Sequence, residues 1–94
     1  MNHRERHMQA ALEAELQFRG WRYFHTHDAR RSVPGFPDIV ALRGPRLFVA
    51  ELKTETGRVS REQRAWLEAF ELAGVPAHLW RLPADWAKVG TVLR

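Results

Sequence analysis

The chain has 94 residues, enough for one domain that buries roughly 60 to 65% of its chain surface. It has no cysteine, which excludes disulfides and thiolate metal sites. Fifteen Lys and Arg against eleven Asp and Glu give a formal charge of +4 and a pI near 10.6, and thirteen of the fifteen cations are Arg, whose forks suit phosphate oxygens, so the balance favours an anionic partner. No apolar run reaches the roughly 18 to 20 residues of a membrane span, and Met1-Asn2-His3-Arg4-Glu5-Arg6 has no signal-peptide apolar region, so a soluble, cytoplasmic protein is expected.

Residues 4 to 19 carry apolar side chains at helical spacing, with Met8, Leu12 and Leu16 in one stripe, Ala11 and Phe18 flanking it, and Gly20 as the stop. Glu5 lies three residues before Met8 and seven before Leu12, so it extends that stripe by a turn and aims where a sheet should lie. Gln9 shares its face, whereas Glu13 and Glu15 sit off the stripe. The plain alternative for Glu5 is an acidic residue favoured by the helix dipole. Trp21 to His27 reads as a strand with Trp21, Tyr23, His25 and His27 on one face. His25 and His27 could share a metal but lack a third partner, and surface histidines are the simpler reading. Asp28 to Pro37 forms a basic loop in which Arg30, Arg31 and Ser32 are candidate DNA contacts, or else an ordinary solvated loop.

Next come Asp38-Ile39-Val40-Ala41-Leu42-Arg43, a Gly44-Pro45-Arg46 break, and Leu47-Phe48-Val49-Ala50-Glu51-Leu52-Lys53. Short apolar, β-branched runs joined through Gly and Pro make a hairpin. With a connection of three or four residues, Asp38 falls opposite Glu51 or one position diagonal to it, within roughly 5 to 8 Å. Glu51 and Lys53 share one face, while Leu52 turns to the core and leaves its backbone carbonyl as a neutral oxygen donor. Two carboxylates and a carbonyl suit a hard cation such as Mg²⁺ or Mn²⁺ that also binds a substrate phosphate. Lys53 can then stabilise charge on the phosphate or orient the attacking water. A surface hairpin with a salt-bridged Lys and Glu is the alternative.

Ser60 and Gln63 have capping-box spacing and open a helix through Leu72, with Trp66, Leu67, Phe70 and Ala73 inward and Gly74 at the C′ position. Gln63 therefore has a structural account alongside any role in a site. Ala77 to Leu82 reads as a last strand, and Pro83 can start a short terminal helix through Trp86 and Val89. Trp66, Trp80 and Trp86 fit core or interface positions better than base-stacking ones.

Pro37-Asp38 followed by Glu51-Leu52-Lys53 resembles the PD-(D/E)xK nuclease motif. The fuller set, Gly35-Phe36-Pro37-Asp38, Glu51-Leu52-Lys53-Thr54-Glu55-Thr56-Gly57-Arg58, Ser60 and Gln63, is similar to the VRR-NUC branch of that superfamily, from about Glu5 to Trp80. The resemblance implies a single nuclease domain spanning residues 1–94. Its expected fold is α/β, a restriction-endonuclease-like core with a mixed sheet flanked by helices, in the order helix, three strands, helix, strand. It further implies catalytic Asp38, Glu51 and Lys53, a metal-site Glu at Glu5, and an active-site position at Gln63. Metal would sit on Asp38, Glu51, the Leu52 carbonyl and Glu5, and DNA would contact Arg30, Arg31, Ser32, Lys53 and Arg58. The activity so implied is a Mg²⁺- or Mn²⁺-dependent endonuclease on branched DNA such as Holliday junctions, in repair or recombination, acting as a homodimer. The rival readings are a nuclease for flaps, ends or single strands, and a DNA-binding protein that does not cut.

Overall fold

The computed structural model describes residues 3–26 and 33–94. The expected strand residue His27 and the candidate DNA contacts Arg30, Arg31 and Ser32 lie outside the described residues. The elements run α1 (His3–Phe18), β1 (Arg22–His25), β2 (Ile39–Arg43), β3 (Arg46–Lys53), α2 (Arg61–Leu72), β4 (Ala77–Arg81) and α3 (Trp86–Leu93). The four strands form one sheet in sequence order, with β1, β2 and β3 antiparallel and β4 parallel to β3. This is the expected mixed sheet with flanking helices. No helix is long and apolar enough to cross a membrane.

One face of the sheet carries the core. Ile39, Ala41, Phe48 and Ala50 alternate inward along β2 and β3 and meet Leu12 and Leu16 from α1, Val89 and Leu93 from α3, and Trp80 from β4. Met8 packs against this cluster, but Ala11 and Phe18 are exposed. Phe18 is two residues, or about 200°, beyond Leu16 on the helix, so it points to solvent. Trp21 is buried edge-on against Phe48 and donates its indole N–H to the Leu93 carbonyl at 3.1 Å. The guanidiniums of Arg43 and Arg46 lie over the Trp21 ring, 4.6 and 4.9 Å from its centroid, and donate to the last carbonyls of α3.

The β2–β3 turn is tighter than the expected three or four residues. Arg43 pairs directly with Arg46, leaving only Gly44-Pro45. Gly44 takes φ +59°, as the first position of a two-residue hairpin turn requires, and the ring-fixed φ of Pro45 suits the second. With Ile39 opposite Ala50 in this register, Asp38 falls level with Glu51.

Helix α2 packs on β3 and β4 across the sheet from the core. Ser60 and Gln63 form the capping box, and the other end closes as a Schellman motif: Gly74 donates to Glu71 O and Val75 to Phe70 O, with Gly74 at φ +88°. Trp66 and Phe70 are only half-buried and close on Phe36, at 5.1 and 5.9 Å between ring centroids. Ala73, expected to face inward, is exposed at the C-cap. Strand β4 ends at Arg81 and α3 begins at Trp86, three residues after Pro83. Residues 82–85 form the intervening turn, held by Asp85, whose carboxylate accepts from the Arg81 N–H at 2.8 Å.

Candidate active site

Asp38 immediately precedes β2, and Glu51 and Lys53 lie on β3 with their side chains on the α2 side of the sheet. They line a cavity of about 310 Å³, closed on one bank by Glu5, Met8 and Gln9 of α1 and on the other by Gln63, Thr54, Gly57 and Arg58. The Asp38 carboxylate accepts the Leu52 N–H at 2.8 Å, an anchor that the sheet geometry supplies and that fixes where its second oxygen can point. Lys53 Nζ is 3.6 Å from Glu51 Oε2. Leu52 turns its side chain to the core, as expected, and the residue also lines the cavity.

Gln63 both caps α2 and reaches Glu51 with the same side chain. Its Oε1 accepts the Ser60 N–H at 2.8 Å, and its Nε2 donates to Glu51 Oε2 at 2.9 Å. The cap thereby holds the amide where it grips the carboxylate. Glu51 is 3% exposed, and its other oxygen, Oε1, is buried without a hydrogen-bond partner. Burial, reinforced by the charge of Asp38 and opposed by Lys53, pushes the Glu51 carboxyl up to about 8. Burial also raises Asp38, against the Leu52 N–H and the charges of His25 and Lys53. Two such carboxyls share protons as a pair.

Glu5, in the first turn of α1, is half-buried on the cavity wall. Glu13 is not on that wall. It accepts from Gln9 Nε2 at 3.1 Å and lies 3.9 Å from His25 Nδ1. Among the described residues no group of three or more His, Asp or Glu is arranged to hold a metal ion. Of the expected DNA contacts, Lys53 and Arg58 reach the cavity.

Two features went unanticipated. Arg81 donates through one guanidinium nitrogen to Thr54 O at 3.0 Å and Gly57 O at 2.7 Å, shaping the loop that follows Lys53. Nothing in local sequence signals this, because the interaction spans 24 and 27 positions. Gly35 sits at φ +84°, where a Cβ would come 2.4 Å from the Glu62 carbonyl carbon and 2.7 Å from Gln63 N. Its bareness lets the segment before Asp38 press on the first turn of α2, and one turn further on Trp66 Nε1 donates to Pro34 O at 3.2 Å. Gly35→Ala should cost about 2 to 4 kcal/mol, combining left-handed backbone strain with overpacking. Urea unfolding checks this, and Gly20→Ala, which has open space at φ +80°, is the strain-only reference.

The VRR-NUC domain family matches residues 2–81, a span that contains Glu5, Asp38, Glu51, Lys53 and Gln63. Among solved structures, the fold is similar to that of Hjc, a Holliday junction resolvase from the archaeal hyperthermophile Archaeoglobus fulgidus. The TM-score is 0.60, with 26% sequence identity over 80% of this chain, and the match spans 66% of the Hjc chain. No curated protein matches.

Proposed function

The chain belongs to the VRR-NUC domain family, and from that premise we propose that it is a divalent-metal-dependent endodeoxyribonuclease that hydrolyses phosphodiester bonds in branched DNA, four-way junctions above all. The observation that carries the reading is the convergence of Asp38, Glu51, Lys53 and Gln63 on one cavity, with Glu51 Oε1 buried and lacking a partner. A buried carboxylate oxygen without a donor is costly unless a cation completes it. The donor set fits Mg²⁺ or Mn²⁺: two carboxylates supply the protein ligands, and water and a substrate phosphate complete a shell that an all-protein cage does not provide. Asp38 and Glu51 would hold the ion, with the Leu52 carbonyl and Glu5 in support.

Such an ion, when bound, would polarise the phosphate and make water acidic enough to attack. Asp38, tethered by the Leu52 N–H, has one oxygen left for binding. Gln63 Nε2 orients Glu51 so that Oε1 faces inward. Lys53 Nζ stabilises negative charge developing on the phosphate oxygens or orients the water. Glu5→Gln should lower the cleavage rate and raise the metal concentration needed for half-maximal activity, roughly ten- to a hundred-fold by analogy with groups that support metal ligands. Glu13→Gln should do little, since Glu13 is off the cavity wall. A metal titration of activity with equal effects for the two variants would remove Glu5 from the site.

Branched substrate and dimerisation go together. A four-way junction has two-fold symmetry and calls for paired cuts, which a two-fold homodimer would supply. The Hjc resemblance favours this substrate. Sedimentation and competition binding test it: a strictly monomeric protein, or equal affinity for linear duplex and junction, would overturn the junction reading and leave the nuclease reading standing.

A further inference from the structure

The arginines divide into two groups by what their guanidiniums already hold. Arg19 pairs with Glu15 at 2.9 Å. Arg43 and Arg46 are spent on main-chain carbonyls at the carboxy-terminal end and on the Trp21 ring, and Arg43 also on the Arg19 carbonyl. Arg81 is spent on Thr54 O and Gly57 O. By contrast, Arg4, Arg6, Arg22, Arg58, Arg61, Arg64 and Arg94 are exposed, and their guanidiniums engage no acceptor or carboxylate among the described residues. A guanidinium ordered on protein acceptors has few donors left for a ligand. An uncommitted one keeps its fork.

Four of these seven lie beside the cavity. Arg4 and Arg6 flank Glu5 in the first turn of α1, and Glu5 is on the cavity wall. Arg58 lines the opposite wall, and Arg61 is the first residue of α2, two before the Gln63 that grips Glu51. The amino-terminal turns of α1 and α2 thus both abut the cavity, each adding partial positive charge beside the carboxylates. The Ser60 hydroxyl already accepts the Gln63 N–H, so the cap uses one of the donors at the start of α2, and the arginine forks beside it remain open. Glu62, the acidic neighbour of Arg61, lies against Gly35.

We propose that Arg58 and Arg61 on one rim and Arg4 and Arg6 on the other hold the nucleic-acid backbone phosphates on either side of the one that is cut. Arg19, Arg43, Arg46 and Arg81 serve the fold instead. This inference rests on the nuclease reading and assigns the cations that read the backbone regardless of sequence. It also explains how a site built from carboxylates lies within a chain of charge +4: the acidic centre is bracketed by cations that draw the strand across it.

The test is binding of fluorescein-labelled junction and linear duplex to the full chain, followed by anisotropy across a salt series in a Glu51→Gln background that blocks cutting. The paired change Arg58→Gln with Arg61→Gln should weaken binding and lower the slope of log affinity against log salt by about two, one for each phosphate that an arginine no longer neutralises. Arg4→Gln with Arg6→Gln should do the same. Arg22→Gln is the control of equal charge per residue. Arg22 is exposed and equally uncommitted, but it pairs with Leu42 near the hairpin turn, some 10 Å along β1 from His25 at the Asp38 end. Its slope should change by much less than one. Per-residue slope changes as large for Arg22 as for the rim arginines, or none for any, would overturn the proposal while cleavage by the unaltered chain upheld the nuclease. No binding of DNA by the unaltered chain would overturn both.

Discussion

Asp38→Ala or Glu51→Ala should each reduce DNA cleavage by on the order of a thousand-fold or more while leaving a folded protein. Each removes one of two carboxylates that would hold the ion, and with it the charge stabilisation that metal-assisted hydrolysis depends on. Lys53→Ala should cost about a hundred- to a thousand-fold, the scale set by losing one donor to developing charge. The variants should separate in metal binding: calorimetric titration with Mn²⁺ should lose its heat in Asp38→Ala and Glu51→Ala and keep it in Lys53→Ala. The double change Asp38→Ala with Glu51→Ala should be scarcely worse than either alone, since residues that act as a unit are strongly non-additive. A single carboxylate variant that still cuts at the unaltered rate would remove the proposed metal site.

The same carboxylates should make the metal-free protein lose stability as pH rises. The Glu51 carboxyl titrates near 4.5 in the unfolded chain and is raised to about 8 in the fold, so between those values the folded state holds a proton that the unfolded state has released. Stability then falls with pH: the contribution is fully present below about 4.5 and is lost as pH climbs to about 8. The loss should amount to a few kcal/mol, an order of magnitude only, because the Asp38 pair shares the titration. Glu51→Gln cannot ionise and keeps the amide within reach of its neighbours. In chelator at pH 8 it should melt about 8 °C or more above the unaltered chain, taking about 2 kcal/mol as the difference for a domain of this size. At pH 5 the two should nearly coincide. Divalent metal should reverse the order at pH 8, because only the carboxylate gains from the ion. Melting curves in chelator that do not depend on pH would contradict the placing of Glu51 in a buried, repulsive pair.

Much of this was legible in the sequence, for reasons that are local. Asp38, Glu51 and Lys53 fall together because strand side chains alternate and a hairpin register is set by its turn, so spacing alone brings them to one face. Ser60, Gln63 and Gly74 announce both ends of α2 through capping chemistry. The length of the turn was not legible, because Gly44, Pro45 and Arg46 all suit a loop and only the pairing of Arg43 with Arg46 decides between them. The start of α3 was displaced for a similar reason: Pro83 is a good first helical residue, but Asp85, two positions later, takes the N-cap position. Arg81 was invisible because its work is tertiary, whereas the two accounts of Gln63 were compatible from the start because one amide has two ends: Oε1 caps α2 and Nε2 reaches Glu51.

The most direct test is incubation of the purified chain with labelled four-way junction, flap, linear duplex and single-stranded DNA, with Mg²⁺, with Mn²⁺ and with chelator. The expected result is cutting of the junction that requires a divalent ion and exceeds cutting of linear duplex. No cleavage of any of these DNAs under any metal condition, by a protein that is folded and binds DNA, would contradict the nuclease assignment and leave a DNA-binding protein on a nuclease fold.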